Sequence, residues 1–162
     1  DKVNNKVLKD NFDFVVVSTG HFSVPFIPEY KGMDTFPGRI MHSHDFRDAE
    51  EFRNKNVIVL GSSYSAEDIA LQCNKYGAKS VTIGYRHNPM GFKWPDGMKE
   101  VHYLDKLVGK KAIFKDGTEL EADVIILCTG YLHHFPFLEE NLQLKTRNRL
   151  YPPKLYLSLI HI

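Results

Sequence analysis

The segment that most constrains the fold of this chain is residues 57–68, VIVLGSSYSAED. Its first four residues are all β-branched or aliphatic, which is typical of a strand buried on both faces of a parallel sheet. The chain then turns at Gly61 and continues with apolar residues at helical spacing. A strand, a glycine turn and a helix together open a dinucleotide-binding unit, because the helix N-terminus offers free N–H groups and a positive dipole end to a pyrophosphate.

The glycine pattern of this turn departs from the dinucleotide fingerprint at one place. The fingerprint G-x-G-x-x-G/A has Gly61 at its first position and Ala66 at its third, whereas Ser63 takes the second. A serine is small enough for a diphosphate to approach, and its hydroxyl can donate a hydrogen bond. The motif alone leaves two interpretations open, a nucleotide site and a plain structural turn between a strand and a helix.

The next strand carries the residue that distinguishes the two nicotinamide cofactors. We predict a helix over residues 63–76, capped by Gly77, and then a strand over residues 79–86. The residue that ends this strand, about 20 positions after the glycines, meets the adenosine ribose, where an acid favours NAD and arginine favours NADP. Arg86 stands there, so NADP is the favoured cofactor. The alternative is a surface arginine at a strand end.

Composition argues against several other classes of function. The 162 residues carry a net charge of +1 and 43% hydrophobic residues, which fits an α/β domain and offers nucleic acid no basic stripe. No apolar run approaches the roughly 18 residues of a membrane span. Cys73 and Cys128 lack C-x-x-C spacing, so we expect buried, reduced thiols in a cytoplasmic protein. A zinc site on His42, His44, His133 and His134 is an alternative, but clustered cysteines or carboxylates at ligand spacing are missing, so packed or solvated histidines are favoured and no metal site is predicted.

Two apolar segments end alike, with Thr-Gly after a run typical of a buried strand. Residues 12–17 lead to Ser18, Thr19 and Gly20, and residues 124–128 lead to Thr129 and Gly130. A glycine directly after a buried strand permits close approach of the backbone to a ligand or a crossing chain. We therefore expect two buried strands and two places where the chain passes between neighbouring nucleotide-binding domains.

The remaining segments are predicted more coarsely. Pro25 and Pro28 favour an extended connection. Turn and strand signals then predict a short strand or extended segment over 38–44, one short helix over 45–52, a loop over 88–99, strands over 101–107 and 110–114, and a hairpin turn at 116–117.

Residues 36–46, FPGRIMHSHDF, fit the pattern F-x-G-x-x-x-H-x-x-x-F. This pattern identifies flavin-containing monooxygenases, and here it stands directly before a nucleotide-binding turn, as it does in that family. The paired Thr-Gly segments resemble the family's A-T-G segments, which link its FAD- and NADPH-binding domains. Residues 64–68, 90–95 and 133–138 are most similar to the bacterial trimethylamine monooxygenase branch, and Phe46 differs from the tryptophan of a Baeyer–Villiger relative.

The resemblance implies an α/β fold, with a Rossmann-like NADP-binding domain and parts of an adjoining FAD-binding domain. We assign residues 1–47 to the end of the FAD-binding domain and a linker, 48–128 to the NADP-binding domain, 129–156 to the return into the FAD-binding domain, and 157–162 to a non-native tail. The family's first G-x-G-x-x-G, which holds FAD, does not occur in the sequence. We therefore expect an internal fragment of a flavoenzyme that is inactive alone.

The resemblance also implies a mechanism and a set of site residues. NADPH reduces FAD, the flavin takes up O₂ as a C4a-hydroperoxyflavin, and a small amine or sulfide such as trimethylamine accepts the distal oxygen. Residues Gly61, Ser63, Tyr64 and Ser65 would contact the NADP pyrophosphate and nicotinamide, with Tyr64 also facing the flavin. Arg86 would bind the 2′-phosphate. The two Thr-Gly exits, Ser18, Thr19 and Gly20 at one and Thr129 and Gly130 at the other, would lie near the crossovers and the flavin.

Two other functions remain open from the sequence. A non-catalytic NADP-binding module would share every motif up to Arg86 but would not need residues 36–46. An α/β-hydrolase would use Ser63 as its nucleophile in the G-x-S-x-G-like segment 61–65, although Ser65 occupies the place where a glycine normally relieves crowding. The expected partners are the small-molecule substrate and O₂, without nucleic acid or membrane, and a homodimer is compatible with the resemblance.

Overall fold

A five-stranded parallel sheet forms the centre of the computed structural model, which describes residues 6–143 and the backbone of residues 155–156 and 159–160. Its strands, in chain order and separated by the other elements of the chain, are β2 (Arg39–His42), β3 (Asn56–Leu60), β4 (Ser80–Tyr85), β5 (Met98–His102) and β9 (Val124–Leu127). They are arranged in the spatial order β2-β9-β3-β4-β5, so the last of these five strands in the chain lies between the first two of them. The predicted α/β class and the strand over 79–86 agree with this sheet.

The helix α1 (Tyr64–Lys75) connects β3 to β4 and ends in a Schellman motif. Gly77 has φ +87°, and its N–H donates to Asn74 O at 3.1 Å. The N–H of Ala78 then donates to Cys73 O at 2.9 Å, which satisfies a second free carbonyl of the last turn. The predicted helix and its glycine cap are confirmed.

Each face of the sheet carries its own apolar core. Val57 and Val59 point to the face that α1 covers with Ile69 and Cys73, whereas Ile58 and Leu60 point to the opposite face. All four strand residues are at most 1% exposed, as expected for a strand covered on both faces. The unbroken apolar run of residues 57–60 is therefore explained by two layers of packing.

A three-stranded antiparallel sheet covers the face opposite α1. It consists of β6 (Leu104–Val108), β7 (Lys111–Phe114) and β8 (Glu119–Glu121), with the predicted hairpin turn at Asp116-Gly117 between β7 and β8. The prediction of one strand over 101–107 is wrong, because the chain leaves the parallel sheet after β5 and enters the antiparallel sheet at Leu104. The apolar pattern continues across this junction because both strands face the same core.

Residues 12–17 do not form the predicted buried strand. They are assigned to no strand, and Phe14 is 90% exposed. A strand is buried only when neighbouring strands pair with it, and none of the described strands lies beside this segment. The predicted helix over 45–52 is also wrong, because the structure has two short 3-10 turns instead, at Ser43–Asp45 and Glu50–Phe52.

Five short elements complete the described structure. Strand β1 (Val24–Pro25) pairs with β10 (Tyr131–Leu132), and β11 (Leu155–Tyr156) pairs with β12 (Leu159–Ile160), while Glu140–Leu142 forms a 3-10 turn. The interpretation of residues 157–162 as a tail falls largely outside the described residues. The domain limits also stay a prediction, although the parallel sheet begins at Arg39, within the segment assigned to the FAD-binding domain and linker.

The carboxylate of Asp123 joins the starts of β9 and β3. It accepts hydrogen bonds from the backbone N–H of Asn56 at 2.9 Å and from the Asn56 side-chain amide at 3.2 Å, and Lys110 Nζ lies 3.4 Å away. These partners, with the Asn56 N–H first, hold the pKa of Asp123 below its ordinary value.

Replacing Asp123 with asparagine should lower the free energy of unfolding by about 1–2 kcal/mol at neutral pH. Because the pKa of the folded carboxyl is depressed, its stabilisation is present at neutral pH and is lost as pH falls through that folded pKa, below about 4. Urea denaturation at neutral and acidic pH measures the effect, and the gap should close in acid. Asp105→Asn, at an exposed position on β6, is the control. An equal gap at both pH values would contradict the assignment.

Candidate dinucleotide site at the carboxyl edge of the sheet

The predicted nucleotide residues meet at one edge of the parallel sheet. Gly61 follows β3, Arg86 follows β4 and Cys128 follows β9, so all three lie at the edge where these strands end, here called the carboxyl edge. The N–H of Gly61 donates to Gly84 O at 2.9 Å, which joins the exits of β3 and β4. In open parallel sheets, ligands bind outside the carboxyl ends of the strands.

The turn after β3 presents a set of free hydrogen-bond donors. Ser63 is the N-cap of α1, in extended conformation with φ −133° and ψ 179°, and its side chain makes no capping bond. Among the described residues, no acceptor pairs with the backbone N–H groups of Ser62, Ser63, Tyr64 and Ser65. All four of these residues are exposed, and Tyr64 is 81% exposed. These N–H groups and the serine hydroxyls can bind an anion.

Position 61 has no room for a side chain, because of the backbone conformation of the turn and because the exit of β9 lies against it. Its φ is +141°, in the region that favours glycine, and a Cβ atom built on it would overlap the carbonyl oxygen of Cys128. Ala66, at the third fingerprint position, is fully buried where α1 packs on the sheet. Two of the three fingerprint positions are thus fixed by packing, and only Ser63 faces the open side.

Arg86 is exposed at the end of β4 and forms no ion pair with another described residue. Close by, the buried Tyr30 donates its hydroxyl to the Tyr103 hydroxyl at 2.8 Å. Burial raises the pKa of Tyr30 well above its usual value, and the positive charge of Arg86 acts in the opposite direction. The guanidinium is therefore available for an anionic ligand on the same edge as the α1 N-terminus.

The second Thr-Gly exit is part of a two-stranded structure that we call the crossover ribbon, formed by β1 and β10 with the adjoining Phe26, Thr129 and Gly130. Val24 pairs with Leu132, and Pro25 pairs with Tyr131, in antiparallel register. Next to them, Phe26 N donates to Gly130 O at 2.9 Å, and the Thr129 hydroxyl donates to Phe26 O. The segment that follows the first Thr-Gly exit is thus hydrogen-bonded to the second exit.

His42 is one position of the F-x-G-x-x-x-H-x-x-x-F pattern, and its contacts explain why a histidine stands there. It ends β2 at the carboxyl edge, is 3% exposed, and its Nε2 lies 3.0 Å from Gly130 O. Burial lowers its pKa, although the Gly130 carbonyl opposes that shift. The spacing in the sequence was the signal for this residue, but it gave no indication of the partner 88 positions away.

The other positions of that pattern are also explained by packing. A Cβ atom at Gly38 would overlap the Asp123 carbonyl oxygen and the ring of Phe36. Phe46 stacks on Phe52, with ring centroids 6.1 Å apart and an angle of 24° between the rings. The pattern therefore describes how residues 36–46 attach to the sheet.

The first Thr-Gly exit is not brought to the α1 N-terminus. Ser18, Thr19 and Gly20 are exposed, and within the described residues they form no hydrogen bond to the turn at 61–65.

Two clefts of about 380 and 320 Å³ lie at the opposite edge of the sheet, beside Ser80 and beside Lys55 respectively. The candidate site is an open surface, and no group of three or more ligand-type side chains among the described residues could hold a metal ion.

The protein-family model described as flavin-binding monooxygenase-like matches residues 1–90 and 97–159. The chain belongs to this family. The trimethylamine monooxygenase of Pelagibacter sp. (strain HTCC7211) is 85% identical to it over 160 residues, which cover 99% of this chain and 36% of the relative. The chain therefore spans little more than a third of the length of that relative, as predicted for a fragment.

Two solved structures share the fold of this chain. The crystal structure of Tmm from Pelagibacter sp. strain HTCC7211 matches with a TM-score of 0.86 and 87% identity, over 96% of this chain and 36% of that one. S-allyl-L-cysteine S-oxygenase from Allium sativum matches with a TM-score of 0.66 and 37% identity, over 75% of this chain and 29% of that one. The predicted two-domain flavoprotein fold is confirmed.

Membership of the flavin-binding monooxygenase-like family removes the hydrolase interpretation. Within the described residues, the Ser63 hydroxyl has no hydrogen bond to a histidine, which a serine nucleophile needs as its base.

Burial raises the pKa of Cys73 and of Cys128 to about 12, so both remain thiols. Among the described residues, no helix is long and apolar enough to cross a membrane.

Proposed function

We propose that the full-length protein is an FAD- and NADPH-dependent monooxygenase that oxygenates a small amine or sulfide, with trimethylamine as its favoured substrate. The observation that carries the proposal is the open N-terminus of α1 on the same sheet edge as Arg86, which forms no ion pair with another described residue, in a chain that is 85% identical to a trimethylamine monooxygenase. We infer the activity of the whole protein from this chain and from its relatives.

The donor set at the carboxyl edge fits NADP. The free N–H groups of Ser63, Tyr64 and Ser65 and the dipole of α1 would hold the pyrophosphate, with Gly61 providing the turn. Arg86, one strand away, would bind the 2′-phosphate through its planar fork of donors. The exposed Tyr64 side chain begins the helix on the open side, where we expect it to face the nicotinamide and the flavin.

FAD would contact residues of the crossover ribbon and requires further binding residues. Within the described residues, only α1 offers a glycine turn followed by a helix, and NADP uses it. We assign Thr129 and Gly130 to the flavin side and Ser18, Thr19 and Gly20 to the other crossover. When bound, FAD supplies the redox chemistry with NADPH and O₂, and the protein positions both cofactors and excludes water.

The decisive experiment measures NADPH oxidation by the full-length enzyme with and without trimethylamine. We expect the amine to stimulate oxidation and to be converted to its N-oxide, because a soft nucleophile is needed to accept the oxygen. A panel of small amines and sulfides that gave no stimulation would contradict the substrate class. Tight NADP binding without FAD in the purified protein would instead support a non-catalytic module.

The proposal includes the location and assembly of the enzyme. We place it in the cytoplasm, where NADPH is available, and we expect no nucleic-acid or membrane partner. A homodimer is the assembly to test, by light scattering of the full-length protein.

A further inference from the structure

His42 occupies a buried position between the end of β2 and the crossover ribbon, and both of its ring nitrogens are engaged. Nδ1 lies 3.0 Å from the backbone N–H of His44, which can only donate. Nδ1 must therefore accept, and the proton of the neutral ring is on Nε2. The Nε2–H group then donates to Gly130 O at 3.0 Å.

The Gly130 carbonyl joins the exit of β9 to two other segments, the end of β2 and the residue after β1. It accepts from His42 and, at 2.9 Å, from the N–H of Phe26, so both of its lone pairs are used. Gly130 has φ +81°, and a glycine can leave this conformation for many others at little cost. The direction in which the chain leaves β9 is therefore fixed by hydrogen bonds more than by steric limits.

We propose that His42, as a neutral Nε2–H donor to the Gly130 carbonyl, is the positioning residue that fixes the crossover ribbon against the carboxyl edge of the sheet. This sets the position of Thr129 and Gly130 relative to the α1 N-terminus. If the proposed function holds, it aligns the flavin side of the site with the bound nicotinamide. His42 itself touches neither substrate nor cofactor in this account.

Several ionisable groups face the His42 ring. His44 and Asp45 lie in the following 3-10 turn, and the Tyr131 ring from β10 meets His42 edge-on, with centroids 5.1 Å apart. Protonation of Nδ1 would remove the acceptor for the His44 N–H and would place a charge in a buried site. Because the pKa of His42 is lowered, this occurs only as pH falls below about 6.5, and the neutral form predominates above it.

Two substitutions separate the bond to Gly130 from the local cap. His42→Asn places its side-chain oxygen where Nδ1 stands, so it keeps the acceptor for His44 N–H but cannot reach Gly130. His42→Gln places an amide N–H where Nε2 stands, so it keeps the donor to Gly130 and does not titrate. His44→Gln, at a more exposed histidine, keeps the backbone N–H and is the control.

In the full-length enzyme, His42→Asn should lower kcat for NADPH oxidation about tenfold, equivalent to ~1.4 kcal/mol, with a smaller change in the KM for NADPH. His42→Gln and His44→Gln should stay within about threefold of the parent. The kcat of the parent should also fall in acid, whereas the His42→Gln profile lacks that limb. The proposal would be overturned if His42→Asn and His42→Gln lowered kcat equally, or if His42→Asn kept the parent kcat. If His42→Asn does not fold, the pH profiles of the parent and His42→Gln test the proposal instead.

A measurement without activity tests the tautomer directly. Nitrogen-15 NMR of the histidine rings in the full-length protein should show His42 with its proton on Nε2 at neutral pH, unchanged whether or not NADP is added. A ring protonated on Nδ1, or charged at neutral pH, would overturn the inference. If the parent oxidised no NADPH, the proposed function would be wrong. The spectrum would still test whether His42 carries its proton on Nε2.

Discussion

Replacing Arg86 with alanine is expected to lower the selectivity of the full-length enzyme for NADPH over NADH by about 100-fold, which corresponds to ~2.7 kcal/mol. The guanidinium is exposed at the end of β4 and is not committed to an ion pair with any other described residue. In the proposed site, its loss would remove the charge-assisted hydrogen bonds to the 2′-phosphate, a group that NADPH has and NADH lacks. The values of kcat/KM for the two cofactors measure the effect.

Two further variants show whether charge or geometry is responsible. Arg86→Lys keeps the charge but not the planar fork, so it should lose about tenfold of the selectivity. Lys115→Ala removes an exposed cation in the β7–β8 hairpin and should leave the ratio unchanged. If Arg86→Ala retained the parent ratio, the 2′-phosphate would bind elsewhere and the assignment of Arg86 would be wrong.

Replacing Gly61 with alanine should reduce the free energy of unfolding by about 3 kcal/mol or more. Two costs combine at this position. The φ of +141° is strained for any residue with a Cβ, and that Cβ would overlap the Cys128 carbonyl oxygen. Cys128 is itself held beside β3, because its N–H donates to Leu60 O at 2.8 Å. Neither β3 nor β9 can move away without breaking the centre of the sheet.

A second glycine shows the smaller cost expected where φ is positive but the site is open. Gly109 also has positive φ, at +56°, but nothing lies within 4 Å of a Cβ built on it. Gly109→Ala should therefore cost only about 1 kcal/mol. Urea denaturation of the two variants gives the comparison, and equal losses of stability would contradict the larger cost expected at Gly61.

The strand–turn–helix unit could be predicted because its local sequence and its final environment agree. Residues 57–60 are apolar on both faces and are covered on both faces, and the length of β4 places Arg86 at the edge where Gly61 stands. Residues 12–17 have an equally apolar sequence but no paired neighbour among the described strands. Apolar character indicates what can be buried, whereas burial depends on strands that are distant in sequence.

The role of His42 could not be derived from the sequence for a related reason. The spacing of the pattern located the residue, but both of its hydrogen bonds depend on where Gly130 and the 3-10 turn lie in three dimensions. The split of residues 101–107 between two sheets was hidden because Val101 and Leu104 pack into one core. Periodicity therefore identified buried faces better than it identified the sheet to which each strand belongs.

The position of β9 has a consequence for how the chain folds during synthesis. Because β9 lies between β2 and β3, those two strands have no partner along their facing edges until residue 127 has left the ribosome. The pairing of β2 with β9 joins residues far apart in the chain, which makes it a slow, high-contact-order step. Until β9 inserts, the facing edges of β2 and β3 are unpaired and can associate with other nascent chains. This risk of aggregation ends only when β9 pairs with both strands.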